Sequence, residues 1–497
     1  MMKYSNITTL FLLASLLTVS LISCGNDSTQ PPAASEAGTA AATEAVTDEP
    51  DALELRMLED DGLGETDFGG KTFHILGVEY YEEYYDIAEE TGDVMDDAIF
   101  RRNSIVEERF NIEITAETMD YGAQITHLKR TVTAGDDAYQ LYAGHVVSTG
   151  EAVMNGVFLN WYDIPHIDFS RPWWSSSTVE DLTYNGKTFL AVGDFALGSL
   201  NNTYCVYFNK QVAADYDLPD IYGIVSEGKW TVDRLTELSR EVYRDLNGDG
   251  TSDIDDLHGM TIFVGSPVNA FLWSFGEKIV KAQPDGTMVL DYYNAHVVDI
   301  YQKLYDMLWV GNTTYATLST QADFAVVVRE KFANGKALFM ADGFSSATSV
   351  FRDSDTPYGI IPMPKWDEAQ ETYYTMVDGS HDILGIPTTV SDTDYVGTIV
   401  EALNAESYKR TVPVFYDIVL KTKGSRDEES VAIIDMICQN RIFDFGYVYG
   451  GWGAAFWPQT LMTKKNADIS SYYEKNRKTV DRYMEKVFTY FEEYEAQ

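Results

Sequence analysis

The chain has 497 residues, of which 45% are hydrophobic and 13% aromatic, a composition typical of a globular protein with a buried core. This length predicts about two to four structural units and excludes disorder throughout. The 78 Asp and Glu residues outnumber the 36 Lys and Arg residues, which gives a net charge of -42 at pH 7. Such a charge repels phosphate backbones and anionic lipid headgroups, so we do not expect a nucleic acid partner.

The N-terminus carries a secretion signal. Lys3 precedes an uncharged, Leu-rich run of 17 residues from Ile7 to Ser23, which is typical of a signal peptide at residues 1–23. Because about 17 to 25 residues are needed to cross a bilayer, a simple spanning anchor stays an alternative. The segment Leu21-Ile22-Ser23-Cys24 resembles the bacterial lipobox, whose cysteine becomes the first mature residue and carries acyl chains. We therefore expect Cys24 to anchor the protein to the extracellular face of the bacterial cytoplasmic membrane.

Residues 24–66 have the composition of a flexible tether. They are rich in Ala, Thr, Ser, Pro and Glu and almost free of aromatic residues. With Cys24 assigned to the lipid, only Cys205 and Cys438 remain. We expect each to be a buried thiol, and a disulfide between them is the alternative.

Strands and helices alternate at the start of the folded part. Apolar runs predict strands and amphipathic runs predict helices. This order predicts βαβ units and an α/β fold, with a largely parallel sheet covered by helices on both faces. The predicted elements are a strand at 71–77, a helix at 93–110, a strand at 111–118, a helix at 123–133 and a strand at 139–147.

The α/β pattern continues towards the C-terminus. Asn185-Gly186 predicts a hairpin turn, and Thr231 is a candidate N-cap of a helix. Beyond Ser391 the pattern is mostly helical and ends in an acidic helix from about Ser470. The other predicted elements are a strand near 260–264, helices at 295–309 and 322–333, and a strand at 336–340.

The common catalytic signatures are missing from the sequence. Two Gly-Lys-Thr segments, at 70–72 and 186–188, lack the preceding glycine of a phosphate-binding loop, because positions 65 and 181 hold Glu and Asp. None of the seven histidines has a second histidine four residues away. A glycosidase that uses a pair of carboxylates stays an open alternative, since some of the 78 acidic residues inevitably form pairs by chance. An enzyme is therefore possible but has no motif in its favour.

One metal-binding pattern is present between Asp245 and Asp256. Ca²⁺ binds several oxygen ligands, and a loop with ligands at positions 1, 3 and 5 and glycine at position 6 can wrap one ion. Position 12 is Asp256 rather than the glutamate of an EF-hand, and a strand follows where an EF-hand has a helix. We expect a structural Ca²⁺ site, with a solvated acidic turn as the alternative. The predicted ligands are Asp245, Asn247, Asp249, Thr251, Asp253 and Asp256.

Aromatic residues near turns form a second candidate site. Flat aromatic faces stack on the apolar faces of sugar rings, while nearby Asp, Asn and Ser hold the hydroxyl groups. Packing in the core is the alternative for each ring, because its burial alone stabilises the fold. The residues concerned are Trp173, Trp174, Tyr204, Trp273, Phe344, Trp452, Phe456 and Trp457.

Several motifs taken in order point to one family. They include Asp67-Phe-Gly-Gly-Lys-Thr-Phe73, the helix from Asp96 to Asn111, and Asn185-Gly-Lys-Thr-Phe189 leading to Tyr207-Phe-Asn-Lys210. Lys229-Trp-Thr231, Gly335-Lys-Ala-Leu-Phe-Met340 and Tyr358-Gly-Ile-Ile-Pro-Met-Pro-Lys365 complete the series. Together they resemble the extracellular solute-binding proteins of family 1, the sugar-binding lipoproteins of bacterial ABC importers. The likeness runs from about residue 67 to 457.

This resemblance implies a two-lobed fold of the type II periplasmic binding proteins, which closes over a carbohydrate. It implies that 67–200 and 380–425 form lobe 1, and that 201–379 and 426–497 form lobe 2, with crossovers around 198–204 and 376–387. Asp342-Gly-Phe-Ser345 stands where many relatives carry a tryptophan, which leaves the stacking partner open. The residues that the resemblance places at the cleft are Tyr142, His145, Asn202, Tyr204, Asn269, Trp273, Asp342, Phe344, Ser345, Asp378, His381 and Trp452. For His381 a structural role is an equal alternative.

The resemblance further implies a non-catalytic monomer that delivers an oligosaccharide to the permease subunits of an ABC importer. A lipid-anchored carbohydrate-active enzyme and a surface glycan-adhesion protein are the alternatives. Turnover of a sugar by the purified protein would favour the enzyme.

Overall fold

The structure is a computed structural model that describes residues 52–283, 285–352, 354–420, 428–451 and 453–495. The predicted signal peptide, Cys24, the first part of the predicted tether and Trp452 lie outside the described residues.

The described residues contain twenty α-helices and thirteen β-strands, numbered here in chain order. The strands are β1 Lys71–Val78, β2 Ile112–Met119, β3 Leu141–His145, β4 Tyr204–Asn209, β5 His258–Val264, β6 Val280–Ala282, β7 Met288–Leu290, β8 Thr314–Leu318, β9 Ala337–Gly343, β10 Tyr358–Ile361, β11 Thr375–Met376, β12 Asp382–Gly385 and β13 Arg441–Ile442. The helices are α1 Ala52–Met57, α2 Glu82–Tyr85, α3 Val94–Phe110, α4 Tyr121–Ala134, α5 Val146–Val153, α6 Ser176–Leu182, α7 Leu197–Asn201, α8 Lys210–Asp215, α9 Ile221–Ser226, α10 Val232–Val242, α11 Ser266–Ser274, α12 Ala295–Trp309, α13 Phe324–Ala333, α14 Ser345–Thr348, α15 Thr393–Glu406, α16 Val412–Leu420, α17 Glu428–Gln439, α18 Phe445–Val448, α19 Trp457–Thr463 and α20 Ile469–Glu493.

A four-stranded sheet in the order β12-β3-β1-β2 forms the centre of lobe 1. Strand β1 pairs in parallel with β2 and β3, and the connecting helices α3 and α4 cover it, as the alternation predicts. Strand β12 is antiparallel to β3, because the chain returns to this sheet from the other lobe. The buried positions of β1 are nearly continuous from Phe73 to Val78, which is typical of a strand covered on both faces.

A five-stranded sheet in the order β10-β4-β9-β5-β8 forms the centre of lobe 2. Strand β5 is parallel to β8 and β9, whereas β4 is antiparallel to β9 and β10. Four of the five strands therefore run in one direction, as in the largely parallel sheet that the alternation predicts. Since the chain enters this lobe through β4, that strand runs against the parallel strands.

Two crossing segments, residues 198–204 and 377–381, connect the lobes. They lie side by side, because Thr203 and Val377 form an antiparallel bridge and the Asp378 N–H donates to the Asn202 carbonyl at 2.9 Å. The Phe344 N–H also donates to the Thr203 carbonyl at 3.1 Å, which ties β9 to the first segment.

The C-terminal helices contact both lobes. Helix α17 packs on β10 of lobe 2, and Tyr293 stacks on Tyr473 of α20 with ring centroids 4.0 Å apart. At the other end of α20, Phe491 packs against Phe189 of lobe 1 at 5.0 Å. Residues 428–495 thus link the lobes a third time, whereas the resemblance implied that 426–497 belong to lobe 2.

Several local signals in the sequence are confirmed. Asn185 and Gly186 have φ of 51° and 71° and form a tight turn between Tyr184 and Lys187. The Thr231 side chain caps α10 by accepting the Arg234 N–H. Cys205 is a buried free thiol and Cys438 a half-buried one, so they form no disulfide.

Other local expectations are corrected. The strand predicted at 139–147 ends at His145, because Val146 starts α5. The helix predicted from 322 begins at Phe324, since Asp323 has a left-handed φ of 52°. Residues 52–66, predicted as tether, include helix α1 and the buried Asp61, whose carboxylate pairs with Arg109 at 3.1 Å.

Candidate functional site

A cavity of about 230 Å³, which we call the interlobe cavity, lies beside the two segments that connect the lobes, and its walls come from those segments and from lobe 2. It brings together the crossing segments, the carboxyl ends of β5 and β9, and helices α11 and α13. In an α/β sheet this edge is the usual place for a ligand, because loops there converge without blocking the strands. The interlobe cavity is lined by Asn202, Tyr204, Phe263, Ser266, Phe324, Ala325, Arg329, Asp342, Gly343, Ser345, Asp378 and Ser380.

The carboxylate of Asp378 is held by hydrogen bonds within the crossing segments. One oxygen accepts the Ser380 N–H at 2.9 Å and the Ser380 hydroxyl at 2.5 Å, and the other accepts the Tyr204 hydroxyl at 3.0 Å. The neighbouring Asn202 amide donates to the Tyr81 hydroxyl of lobe 1 and to the Gly198 carbonyl at 2.8 Å. These bonds fix polar groups at the floor of the cavity.

An ion pair forms the wall of the cavity on the lobe 2 side. Arg329 of α13 donates to both oxygens of Asp342, at 2.7 and 3.3 Å, and Ser346 donates to the same carboxylate at 2.9 Å. Burial lowers the pKa of Arg329, but the Asp342 carboxylate outweighs this and leaves the pKa above its usual value. The guanidinium therefore stays charged, and Arg329 is one of the residues that line the cavity.

Lobe 1 presents three aromatic rings at the carboxyl edge of its sheet, which we call the aromatic platform. Tyr80 follows β1, Tyr121 begins α4 after β2, and His145 ends β3. The Tyr121 and His145 rings stack at 4.8 Å, and Tyr80 lies 6.3 and 6.4 Å from them. Tyr80 is 51% exposed and Tyr121 36%, so both can contact a ligand.

The histidine of the platform is neutral at neutral pH. Burial lowers the pKa of His145, although the negative charge of Asp378 acts in the opposite direction. Its Nδ1 atom is buried and has no hydrogen-bond partner. The ring therefore adds an uncharged flat surface beside the crossing segments.

Five of the predicted cleft residues line the interlobe cavity, and His145 lies on the aromatic platform. The five are Asn202, Tyr204, Asp342, Ser345 and Asp378. Trp452 lies outside the described residues.

The other predicted cleft residues are buried and have partners within the protein, which corrects their placement at the cleft. The Trp273 indole donates to Asp444 at 2.9 Å, and the ring is 1% exposed. Asn269 exchanges hydrogen bonds with Gln459, Tyr142 bonds to Thr149, and Phe344 is fully buried.

His381 is also a structural residue. Its Nδ1 lies 2.7 Å from the Asp382 carbonyl, and burial lowers the pKa of the ring to about 3. Of the two alternatives that the sequence leaves open, the structure favours the structural one.

Several lining residues have no distinctive motif in the sequence. Arg329, Phe263, Phe324 and Ser266 reach the cavity only because β5, α11 and α13 meet there. Tyr80 and Tyr121 carry one usable signal, because each comes directly after a strand of the parallel sheet. Residues in that position gather at one edge of the sheet.

A larger cavity, about 930 Å³, lies on lobe 2 between α10 and α12. Several of its charged side chains are paired with one another, as in Arg234–Glu237 at 2.5 Å and Lys303–Asp233 at 2.6 Å. None of its described lining residues belongs to a crossing segment, whereas Asn202, Asp378 and Ser380 of the interlobe cavity do. The interlobe cavity is therefore the better candidate despite its smaller volume.

The acidic loop from Asp245 to Asp256 uses its side chains to order its own backbone. Asp245 accepts the N–H groups of Gly248 and Gly250 at 2.6 and 2.9 Å. Asp256 is fully buried and accepts the Leu246 and Asp253 N–H groups, so its carboxylate points into the loop.

A lysine supports the same loop from below. Lys331 donates to the Ile254 and Asp256 carbonyls at 2.8 and 2.6 Å. Within the described ranges no group of three or more His, Cys, Asp or Glu side chains could hold a metal ion. The predicted donor set thus fits only in part, and the Ca²⁺ site stays a prediction.

Comparison with known families decides the class of this protein. The family of bacterial extracellular solute-binding proteins matches residues 104–409, more than half of the chain. The chain belongs to this family. None of the curated proteins matches it.

Solved structures of two-lobed solute-binding proteins share the fold. The chain is similar to UgpB from Mycobacterium tuberculosis in complex with glycerophosphocholine, with 14% identity, a TM-score of 0.56, and coverage of 84% of this chain and 99% of that one. It is also similar to an ABC substrate-binding protein from Listeria monocytogenes in complex with cycloalternan, with 11% identity, a TM-score of 0.54, and coverage of 84% and 98%. The GacH receptor of Streptomyces glaucescens, solved unliganded and with acarbose, matches with 14% identity, a TM-score of 0.52, and coverage of 86% and 100%. At these identities the likeness establishes the two-lobed α/β fold.

No helix among the described residues is both long and apolar enough to cross a membrane.

Proposed function

We propose that this protein is the substrate-binding component of an ABC importer, which binds a carbohydrate between its lobes and delivers it to a permease. The observation that carries this proposal is the interlobe cavity, where polar groups of lobe 2 and of both crossing segments meet. A ligand that contacts both lobes favours the closed form by its differential affinity for that form.

The chemistry of the cavity suits a polyhydroxylated solute. Asp378, Asn202 and the Arg329–Asp342 pair offer acceptors and donors for hydroxyl groups, and the aromatic platform offers a flat surface for a sugar ring. Two of the similar solved structures are complexes of those proteins with cycloalternan and with acarbose. We propose that this chain likewise binds its solute without transforming it.

A binding screen tests the proposal. Purified protein from residue 52 onwards is titrated with a panel of oligosaccharides, and binding is read as a rise in melting temperature, because a ligand of the native state stabilises it. The variant Tyr121→Leu removes one platform ring. We expect it to weaken binding about three- to tenfold, because an aromatic contact contributes about that much to the affinity.

Tyr162→Leu is the matched control, since Tyr162 is 47% exposed and lies away from the cavity. It should bind the same sugars as the wild type. Equal effects of the two variants would contradict the site, and cleavage of a bound sugar would contradict the binding role.

We further propose that Cys24 anchors the protein to the membrane through a lipid. This rests on the lipobox-like segment that ends at Cys24. Cys24→Ala should release the protein from the membrane fraction, whereas mass spectrometry of the wild type should show an acylated cysteine. An unmodified Cys24 would contradict the anchor.

Finally, we propose that the acidic loop binds Ca²⁺ weakly through Asp245, Asn247, Asp249, Thr251 and Asp253. Extracellular loops of this kind bind Ca²⁺ with dissociation constants of roughly 10⁻⁴ to 10⁻³ M. Millimolar Ca²⁺ should raise the melting temperature of metal-stripped protein, and Asp249→Ala should abolish the rise. An equal rise with Asp249→Ala would place the ion elsewhere.

A further inference from the structure

The interlobe cavity has an unbalanced charge. Its described lining residues include one cationic side chain, Arg329, and two carboxylates, Asp342 and Asp378. Arg329 is committed to Asp342, because it donates to both oxygens of that carboxylate. The charge of Asp378 is left without a cationic partner among the described residues.

Among the described residues, the hydrogen-bond donors to Asp378 are all neutral groups. Its donors are the Tyr204 hydroxyl and the hydroxyl and N–H of Ser380. Such bonds hold a carboxylate in place but do not neutralise it. In a partly enclosed cavity an uncompensated charge attracts a counter-ion more strongly than it would in water.

The neighbouring part of the cleft strengthens this imbalance. A second cavity of about 390 Å³ shares Ser345 with the first, and its described lining residues include Glu83, Asp93 and Asp96 and one cationic side chain, Arg352. Arg352 pairs with Asp93 at 2.8 Å. The described walls of the cleft are therefore negative on both sides of Ser345.

The aromatic platform supplies a surface that suits a cation. The exposed faces of Tyr80 and Tyr121 carry negative potential, and a cation over such a face is attracted to it. Burial raises the pKa of Tyr80, and the negative charges of Asp120 and Glu79 raise it further. The charge of these two residues therefore also acts at the platform. Asp378 acts electrostatically on His145 of the same platform.

We propose that the solute bound between the lobes carries a positively charged group, a protonated amine or a quaternary ammonium, with Asp378 as its counter-ion and Tyr80 and Tyr121 as its aromatic contacts. This inference rests on the proposed function, in that the interlobe cavity must hold the solute. For a carbohydrate it predicts an amino sugar with a free amine.

Two probes that differ only at C2 of each sugar unit test the charge. A β-1,4-linked glucosamine trisaccharide carries three ammonium groups where cellotriose carries three hydroxyls, and binding of each is measured by calorimetry. We expect the glucosamine trimer to bind at least tenfold more tightly. We expect tetramethylammonium to compete with it, and the preference to shrink as salt rises.

Asp378→Asn removes the charge and keeps the shape, so it should reduce the preference for the amine to less than threefold. Glu237→Gln, on the exposed surface of α10, is the control for the change in net charge and should leave the preference intact. If Asp378→Asn fails to fold, Tyr80→Ala against Tyr80→Phe takes its place. Loss of the ring should weaken the amine probe, whereas loss of the hydroxyl should not.

The outcomes separate this inference from the proposed function. Equal or tighter binding of cellotriose would overturn the inference and leave carbohydrate binding intact. Binding of tetramethylammonium alone, lost in Asp378→Asn, would support the inference and overturn the carbohydrate function. Absence of binding by all three probes would overturn the inference.

Discussion

Three tryptophans hold two buried carboxylates through their indole N–H groups. Trp173 and Trp174 donate to the two oxygens of Glu401, at 3.0 and 2.8 Å, and Trp273 donates to Asp444. A carboxylate removed from water is costly unless donors replace the lost hydrogen bonds. These rings therefore stabilise the fold, and their N–H groups are committed to it.

We expect Trp273→Phe to destabilise the protein without changing its affinity for a solute. The substitution keeps an aromatic ring but leaves Asp444 with one donor fewer, which costs about 1 to 3 kcal/mol of unfolding free energy. Chemical denaturation measures this loss, and calorimetry measures the affinity. A large drop in affinity with unchanged stability would contradict this prediction and indicate that Trp273 contacts the solute.

A further buried carboxylate, Asp382, predicts a dependence of stability on pH. It is fully buried at the start of β12, and burial raises its pKa to about 7. Since its pKa is lower in the unfolded chain, the folded state binds the extra proton between about pH 4 and pH 7. The stability contributed by this group is present at low pH and is lost as pH rises towards 7.

Asp382→Asn should remove this dependence. Relative to the wild type, the variant should gain about 1.4 kcal/mol of unfolding free energy per pH unit between pH 4 and pH 7. The control is Asp392→Asn, because the hydrogen bond from Lys71 lowers the pKa of Asp392 and both states are ionised above pH 5. Denaturation curves at pH 5 and pH 7 measure the unfolding free energy of both variants. The prediction is wrong if this free energy, relative to the wild type, changes with pH equally in the two variants.

At the scale of elements, close backbone contacts hold the C-terminal region against lobe 1. Helix α5 approaches α18 so closely that a Cβ on Gly150 would lie 1.8 Å from the Val448 carbonyl oxygen. Only glycine permits this approach, because any side chain would push the two helices apart. The contact fixes the position of the segment that follows β13.

Gly150→Ala should therefore destabilise the protein by about 1 to 3 kcal/mol, the usual cost of overpacking. Gly122→Ala is the control within a helix, because its Cβ would meet only the Asp120 side chain at 3.4 Å. That variant should be neutral or more stable by up to about 1 kcal/mol. Thermal melts of the two proteins test the contrast, and equal melting temperatures would contradict it.

At the scale of the whole molecule, two crossing segments and the C-terminal helices connect the lobes. The cavity lies beside the crossing segments, and the Asp93–Arg352 pair joins lobe 1 to lobe 2 at 2.8 Å. We expect motion of one lobe against the other to open or cover the cavity while each sheet stays intact.

We expect a bound solute to contract the protein. Solution scattering should show a smaller radius of gyration with saturating ligand, because contacts with both lobes favour the closed population. Tyr121→Leu at the same ligand concentration is the control and should contract less. An unchanged radius with bound wild type would mean that the lobes do not close on this ligand.

The sequence by itself predicts much of the local structure. The apolar period places α12 at Ala295–Trp309, and Asn185-Gly186 predicts the turn, because both signals depend on neighbours in the chain. It also predicts five lining residues, through the resemblance to the family. These features follow from local backbone preferences and from motifs that lie within short segments.

Only the tertiary structure decides which side chains face the cavity. Trp273 reads as a candidate for stacking, yet Asp444 lies 171 residues away in sequence and holds it in the core. Arg329 reads as an ordinary helix residue, yet β9 brings Asp342 beside it at the cavity wall. The physical reason is that burial and charge pairing depend on contacts between distant segments, and sequence periodicity carries no information about those contacts.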